Sequence, residues 1–291
     1  MRGKQWALAL GCAVATLPAL GFAAGKCERL VATGSPDAPP YLWRDPQDPR
    51  HLMGASADVL AKAAAELGLK IEVLYAGRRS QALEEVRSGR IDLLADAPLA
   101  AAELETLDYV HPALALNDYL VWTRHDSSLP YHSLADLHGH RGGVSAKARL
   151  TPAFRDFAEE HLTLEESESL TPAFQRLTLG QVEYVIAPRY AGSATAQALG
   201  LGDDLQARDA PVDRPGLYLA LGHDSACNDG WLRGQLAKKM TELAASGDVQ
   251  ALLQRNVEIW RAQQRMPAGS ANPGSSAELP SSANPRSSAK R

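Results

Sequence analysis

Leu83-Glu84-Glu85-Val86-Arg87-Ser88-Gly89-Arg90-Ile91-Asp92-Leu93-Leu94 is echoed further on by Phe174-Gln175-Arg176-Leu177-Thr178-Leu179-Gly180-Gln181-Val182-Glu183-Tyr184-Val185-Ile186. In both stretches a helix-like run meets a glycine and then a short apolar strand headed by an acid, Asp92 in the first and Glu183 in the second. Each glycine stands where a helix C-cap needs a positive φ, which a residue without a Cβ adopts at little cost. Each following run is rich in Ile, Val, Leu or Tyr and is about strand length. The echo predicts two similarly built α/β lobes, an arrangement that encloses a ligand between them.

The rest of the chain is compatible with two lobes. At 291 residues it exceeds a typical single core. A hydrophobic content of 45% and a charged content of 22% are ordinary for a soluble globular protein. The formal net charge of −4 and an aromatic content of 6% argue against nucleic acid as a partner.

The N-terminus reads as an address. Arg2 and Lys4 precede an apolar run from Trp6 to Leu20, and Gly21-Phe22-Ala23 offers a small-x-small cleavage site. Residues 1–23 are therefore expected to be a secretory signal peptide, cleaved near Ala23, that delivers the protein to the periplasm. A retained N-terminal anchor is the alternative, although the run is short for a membrane span. Cleavage removes Cys12 and leaves Cys27 and Cys227. In an oxidising compartment these two form a candidate disulfide, the other reading being two free or buried thiols. There is no CxxC, and hence neither a redox motif nor a zinc knuckle. At the other end, residues 267–291 collapse to Ser, Ala, Pro, Asn and Gly and are expected to be a disordered tail.

Between these ends the pattern alternates. Arg29 to Thr33 reads as a strand, followed by the turn Gly34 to Pro40, the run Tyr41-Leu42-Trp43 and a loop from Asp45 to Arg50. Gly54 to Leu67 is a helix, Lys70 to Tyr75 a strand, Arg79 to Arg87 a helix and Asp92 to Ala95 a strand. This order predicts a mostly parallel sheet with crossover helices. Asn117 to Arg124 is a strand leaving the first lobe, and Gly216 to Leu221 a strand that returns to it. Between them fall a short helix from Ser133, a strand ending at Ser145, a helix from Ala153 to His161 capped by Thr151-Pro152, and a strand around Leu164. Trp231 to Ala245 and Val249 to Trp260 close the globular part as amphipathic helices.

Pro39-Pro40-Tyr41, Gly54-Ala55-Ser56-Ala57-Asp58-Val59, Ser88-Gly89-Arg90-Ile91-Asp92 and Tyr109-Val110-His111-Pro112 resemble the first lobe of bacterial extracellular solute-binding proteins of family 3. Leu134-Ala135-Asp136-Leu137, Gly180-Gln181-Val182-Glu183 and Gly216-Leu217-Tyr218-Leu219-Ala220 resemble its second lobe and its returning strand. The resemblance spans Arg29 to Trp260. It implies a two-lobe type II periplasmic-binding fold joined by two crossing strands, with lobe one formed by residues 27–118 plus 214–262 and lobe two by residues 119–213. A Cys27–Cys227 bridge would then staple lobe one and leave hinge closure free. The implied role is that of a monomeric binder of a small polar solute, without a cofactor, serving an ABC importer's permease or a membrane sensor. A periplasmic enzyme on the same fold, similar to cyclohexadienyl dehydratases, is the alternative, but no catalytic or metal constellation is visible.

Relatives that bind amino acids grip the α-carboxylate with an arginine after the third strand. Here Ala97 to Glu105 contains none. They hold the α-ammonium with an acid a few residues beyond the second glycine–strand unit, where this chain has Ala187-Pro188-Arg189. Neither half of the clamp is present, so a neutral amino acid is not the expected ligand. The candidate contacts are Tyr41 and Trp43 at the cleft edge, Arg79 for a carboxylate or phosphate, and Asp96 for an amine or hydroxyl. Ser145, Lys147 and Arg149 are added for an anion at the turn into a helix, with Arg189 in place of the missing acid. Packing under a loop for the aromatics and solvated charge for the arginine are the plainer readings. Asp58, Asp92 and Glu183 are expected to fix loops and element ends rather than touch ligand.

Overall fold

The computed structural model describes residues 27–265. The predicted signal peptide and the whole predicted tail lie outside the described residues.

The chain runs β1 (Arg29–Thr33), β2 (Asp37–Ala38), β3 (Leu42–Arg44), β4 (Leu52–Met53), α1 (Ala55–Glu66), β5 (Lys70–Val73), α2 (Arg79–Arg87), β6 (Leu93–Pro98) and β7 (Leu107–Leu116). It continues through β8 (Tyr119–Arg124), β9 (Arg141–Ser145), α3 (Pro152–His161), β10 (Thr163–Ser167), α4 (Leu170–Thr178), β11 (Tyr184–Pro188), α5 (Arg189–Ala198) and β12 (Leu205–Asp213). The last elements are β13 (Gly216–Gly222), α6 (Gly230–Ser246) and α7 (Asp248–Arg265).

Two five-stranded sheets result, ordered β5-β1-β6-β13-β7 and β10-β9-β11-β8-β12. Each is mixed rather than mostly parallel. In the first, β5, β1 and β6 run parallel while β13 pairs antiparallel with both β6 and β7. In the second, β10, β9 and β11 run parallel while β8 pairs antiparallel with β11 and β12. The parallel part comes from the helical crossovers, as alternation predicts. The antiparallel part comes from the strands that pass between the sheets, which enter from the opposite end. The sequence reading also missed β7 and β12, which contain Pro112 and Pro211. Both are edge strands, where a missing N–H is tolerated. The stretch read as two loops around Tyr41 contains a small sheet, β2-β3-β4.

The twin units occupy equivalent places. Gly89 and Gly180 end α2 and α4 with φ of 71° and 70°. The strands they introduce, β6 and β11, lie at the centre of their sheets, and Leu93 and Ala95, like Tyr184 through Ala187, are completely buried. The heading acids do the same job. Asp92 accepts from the Val31 N–H of β1 at 2.7 Å and from Ser225 Oγ at 2.6 Å. Glu183 accepts from the Arg141 N–H of β9 at 3.0 Å and contacts His140 Nδ1 at 2.6 Å. Each carboxylate thus pins the start of its strand to the neighbouring strand. Asp58 accepts from Asn256 Nδ2 at 2.7 Å and ties α1 to α7.

Cys27 and Cys227 are disulfide-bonded, with Cα atoms 5.5 Å apart. The bridge joins the chain just before β1 to the turn between β13 and α6. The Thr151 cap follows its sequence signal, accepting from the Phe154 N–H, and the structure adds a second cap, Asp229, which accepts from the Leu232 N–H at 2.8 Å.

Candidate functional site

The chain passes between the two sheets twice, at Asn117–Asp118 and at Arg214–Pro215, and the Asn117 N–H donates to the Pro215 carbonyl at 2.9 Å. In front of this crossing lies a cleft. One part of it, about 350 Å³, is bounded by Ala38, Pro39 and Tyr41 on one side and by Tyr119, Leu170, Ile186, Pro188 and Tyr190 on the other. The adjoining part, about 370 Å³, is bounded by Ser35, Arg79, Asp96 and Leu217 against Lys147 and Arg149. Asp37, Ala38, Tyr41, Asn117 and Lys147 line both, so the two are halves of one space. Each half is within the size range of small-ligand sites, about 300–1,000 Å³.

The cleft walls are set by strand ends. Asp96 near the end of β6 is 2% exposed, and both its oxygens accept from the Ser35 N–H, at 3.1 and 3.2 Å. This fixes the turn after β1, and Gly34 lies so close to Asp96 that a Cβ there would collide with the carboxylate. Arg79, at the start of α2, donates from Nη1 to Ser35 Oγ at 2.8 Å and stands 3.7 Å from Asp96 Oδ1. Asp96 is thus occupied in orienting Ser35 and Arg79. On the opposite wall, Ser145 Oγ accepts from the Lys147 N–H at 3.2 Å, while the side chains of Lys147 and Arg149 are exposed.

Tyr41 is 4% exposed, donates its hydroxyl to the Leu116 carbonyl at 2.8 Å, and meets Tyr190 edge-on at 5.7 Å between ring centroids. Tyr119 accepts from the Arg149 N–H at 2.8 Å. Burial raises the pKa of both hydroxyls above the ordinary tyrosine value, so both stay neutral. With their hydroxyls tied to backbone, the rings offer carbon to the cleft.

Of the residues singled out in the sequence, Tyr41, Arg79, Asp96, Ser145, Lys147 and Arg149 line this space. Trp43 does not. It is buried on β3, and its Nε1 donates to Gln263 of α7 at 3.0 Å, because the small sheet turns alternate side chains away from the cleft. Arg189 does not either. It begins α5, where its N–H donates to the Asp118 carbonyl at 2.8 Å and its Nη2 lies 3.6 Å from Asp118 Oδ2. With Arg214 Nε donating to Asp118 at 2.9 Å, it belongs to the hinge. Sequence reasoning missed Asn117, Tyr119, Leu170, Ile186 and Tyr190. Asn117 and Tyr119 flank the first crossing and could have been found from it, whereas Leu170 and Ile186 carry no local signal beyond their apolarity. Among the described residues no group of three or more His, Cys, Asp or Glu is arranged to hold a metal.

Two α/β lobes with mixed sheets, a double crossing and a cleft in front of it define the two-lobe binding-protein architecture. Residues 30–258 match the bacterial extracellular solute-binding proteins, family 3, and the chain belongs to that family. No curated protein sequence matches it. Among solved structures, substrate-binding domain 2 of Lactococcus lactis GlnP in an open conformation is 16% identical with a TM-score of 0.60, covering 80% of this chain and 97% of that one. The periplasmic VFT2 domain of Bordetella pertussis BvgS is 17% identical with a TM-score of 0.60, covering 78% and 93%. A histidine kinase sensor domain described as similar to periplasmic binding proteins is 18% identical with a TM-score of 0.57, covering 79% and 96%. At these identities the likeness concerns the fold.

Proposed function

We propose that the chain is a periplasmic solute-binding protein that captures a small polar ligand between its lobes and presents it to the permease of an ABC importer. The cleft carries this reading: its walls come from both sides of a double crossing, so a ligand touching both walls draws them together. The location rests on the signal-like residues 1–23, and a secreted product beginning at Ala24 is the expected form. Among the described residues no helix is long and apolar enough to cross a membrane. The structural likeness to sensor domains keeps a second partner in view, a membrane receptor that reads the closed form. Closure is the same event in both cases.

The test is a thermal-shift panel of organic acids, amino acids, polyamines and sugars, followed by small-angle scattering with each hit. A ligand at a hundred times its dissociation constant adds about 2.7 kcal/mol. In a protein of this size that corresponds to roughly 5–11 °C in Tm. A hit that also reduces the radius of gyration is the expected result. No stabilising solute across the panel would remove the binding reading, and turnover of a cyclohexadienyl acid such as prephenate would replace it with an enzymatic one.

A further inference from the structure

Resting on that reading, we propose that the cleft takes an organic acid made of one carboxylate on an apolar body, with no ammonium group beside it. The three cationic side chains of the cleft, Arg79, Lys147 and Arg149, meet in one half, with Lys147 at its border with the other. Arg79 stands on one wall, and Lys147 and Arg149 on the facing one. Arg79 is already oriented by Ser35 and Asp96. Lys147 and Arg149 are exposed, and neither forms an ion pair with any carboxylate among the described residues. A carboxylate brought between them gains charge-assisted hydrogen bonds from groups that have no competing partner.

An ammonium is matched by fewer groups: against three cations the cleft sets two acids, Asp37 and Asp96. The wall that carries Lys147 contributes no acid to the cleft. Of the two acids on the facing wall, Asp96 is buried and engaged, which leaves Asp37 on the exposed rim. A cation placed beside Arg79, Lys147 and Arg149 would meet like charges, with Asp37 as the one cleft acid not already engaged.

The other half of the cleft is lined mostly by carbon, with Asp37, Asn117, Ser145, Lys147 and Ser169 as its polar side chains. Leu170, Ile186, Pro188 and Tyr190 line it, and the Tyr41 and Tyr119 hydroxyls are tied to backbone. A ligand whose carboxylate sits among Arg79, Lys147 and Arg149 therefore rests its body mainly on carbon, contact that a small dicarboxylate would leave largely unused.

The experiment is isothermal titration calorimetry of the full chain with four probes that share parts: 3-phenylpropanoate, L-phenylalanine, 3-phenylpropylamine and succinate. The expected result is that 3-phenylpropanoate binds about tenfold or more tighter than each of the others. Lys147→Gln and Arg149→Gln should each weaken it about tenfold. Their unliganded Tm should stay at the parent value, because neither side chain has a hydrogen-bond partner to lose. Tighter or equal binding of phenylalanine, the amine or succinate overturns the proposal, as does unchanged affinity in both variants. Silence from all four probes also overturns it, whereas a sugar or polyamine hit in the thermal panel would leave the solute-binding function standing without it.

Discussion

Replacing each of the twin glycines by alanine separates two costs that their sequences make look identical. Both have φ near +70°, so alanine at either position incurs the left-handed penalty of about 1 kcal/mol. Their surroundings differ. At Gly180 the nearest atom a new Cβ would meet is the end of the Arg124 side chain, at 3.5 Å, which is ordinary contact. At Gly89 the new methyl would run into the backbone carbonyl of Asp224, in the turn after β13. Backbone cannot swing aside as a side chain does, and that turn is tied down by the Gly222 N–H to Asp92 carbonyl bond and by Ser225 on the Asp92 carboxylate. Relieving the overlap should add about 1–3 kcal/mol, the usual range for forced repacking. Gly89→Ala is therefore expected to destabilise by about 2–4 kcal/mol and Gly180→Ala by about 1 kcal/mol. In Tm the shifts are roughly 4–16 °C and 2–4 °C. Urea melts followed by circular dichroism read both variants. Equal costs, or a larger loss for Gly180→Ala, would refute the reasoning, because the conformational penalty is common to both.

Loss of the Cys27–Cys227 bridge by a double serine substitution opens a loop spanning 200 residues, so stability measured by urea denaturation should fall by about 5 kcal/mol in the chain-entropy model. Asp96→Ala frees the Ser35 N–H and leaves Arg79 without its acid; a loss of about 1–3 kcal/mol is expected, together with weaker binding of any ligand found in the cleft. The His140 ring and then the Arg141 N–H lower the pKa of Glu183 below the ordinary glutamate value. On acidification the unfolded chain therefore takes up this proton first, and the contribution, present at neutral pH, drains away below about pH 4. Glu183→Gln should flatten that acid limb in a plot of Tm against pH, and an unchanged limb would assign it to other carboxylates.

Much of the architecture was legible because it is written locally. The helix–glycine–strand units, the Thr151 cap and the crossing at Asn117 each announce themselves within a few residues. Edge strands β7 and β12 were not legible, since prolines within them imitate loops and only their position at a sheet border makes them strands. The site divides in the same way. Arg79, Asp96 and Lys147 sit at element ends that the fold class places at the cleft. Trp43 was misplaced because its side chain follows the alternation of a three-residue strand hidden in a Pro- and Asp-rich stretch, and Arg189 because its partner, Asp118, is 71 positions away in sequence and is met only at the hinge. Tyr190 became visible only when two sheets were brought face to face.

The position of β13 has a consequence for how the protein is made. In the first sheet β13 lies between β6 and β7, so this sheet has no continuous hydrogen-bonded middle until residues 216–222 have left the ribosome. The strand at the equivalent place in the second sheet, β8, is the first of its five to be synthesised. The later-encoded sheet can therefore be completed while the earlier one still waits with a gap at its centre. During synthesis the N-terminal half is the part left open to aggregation, and the disulfide, whose second cysteine lies beyond β13, can close only after that strand has been made.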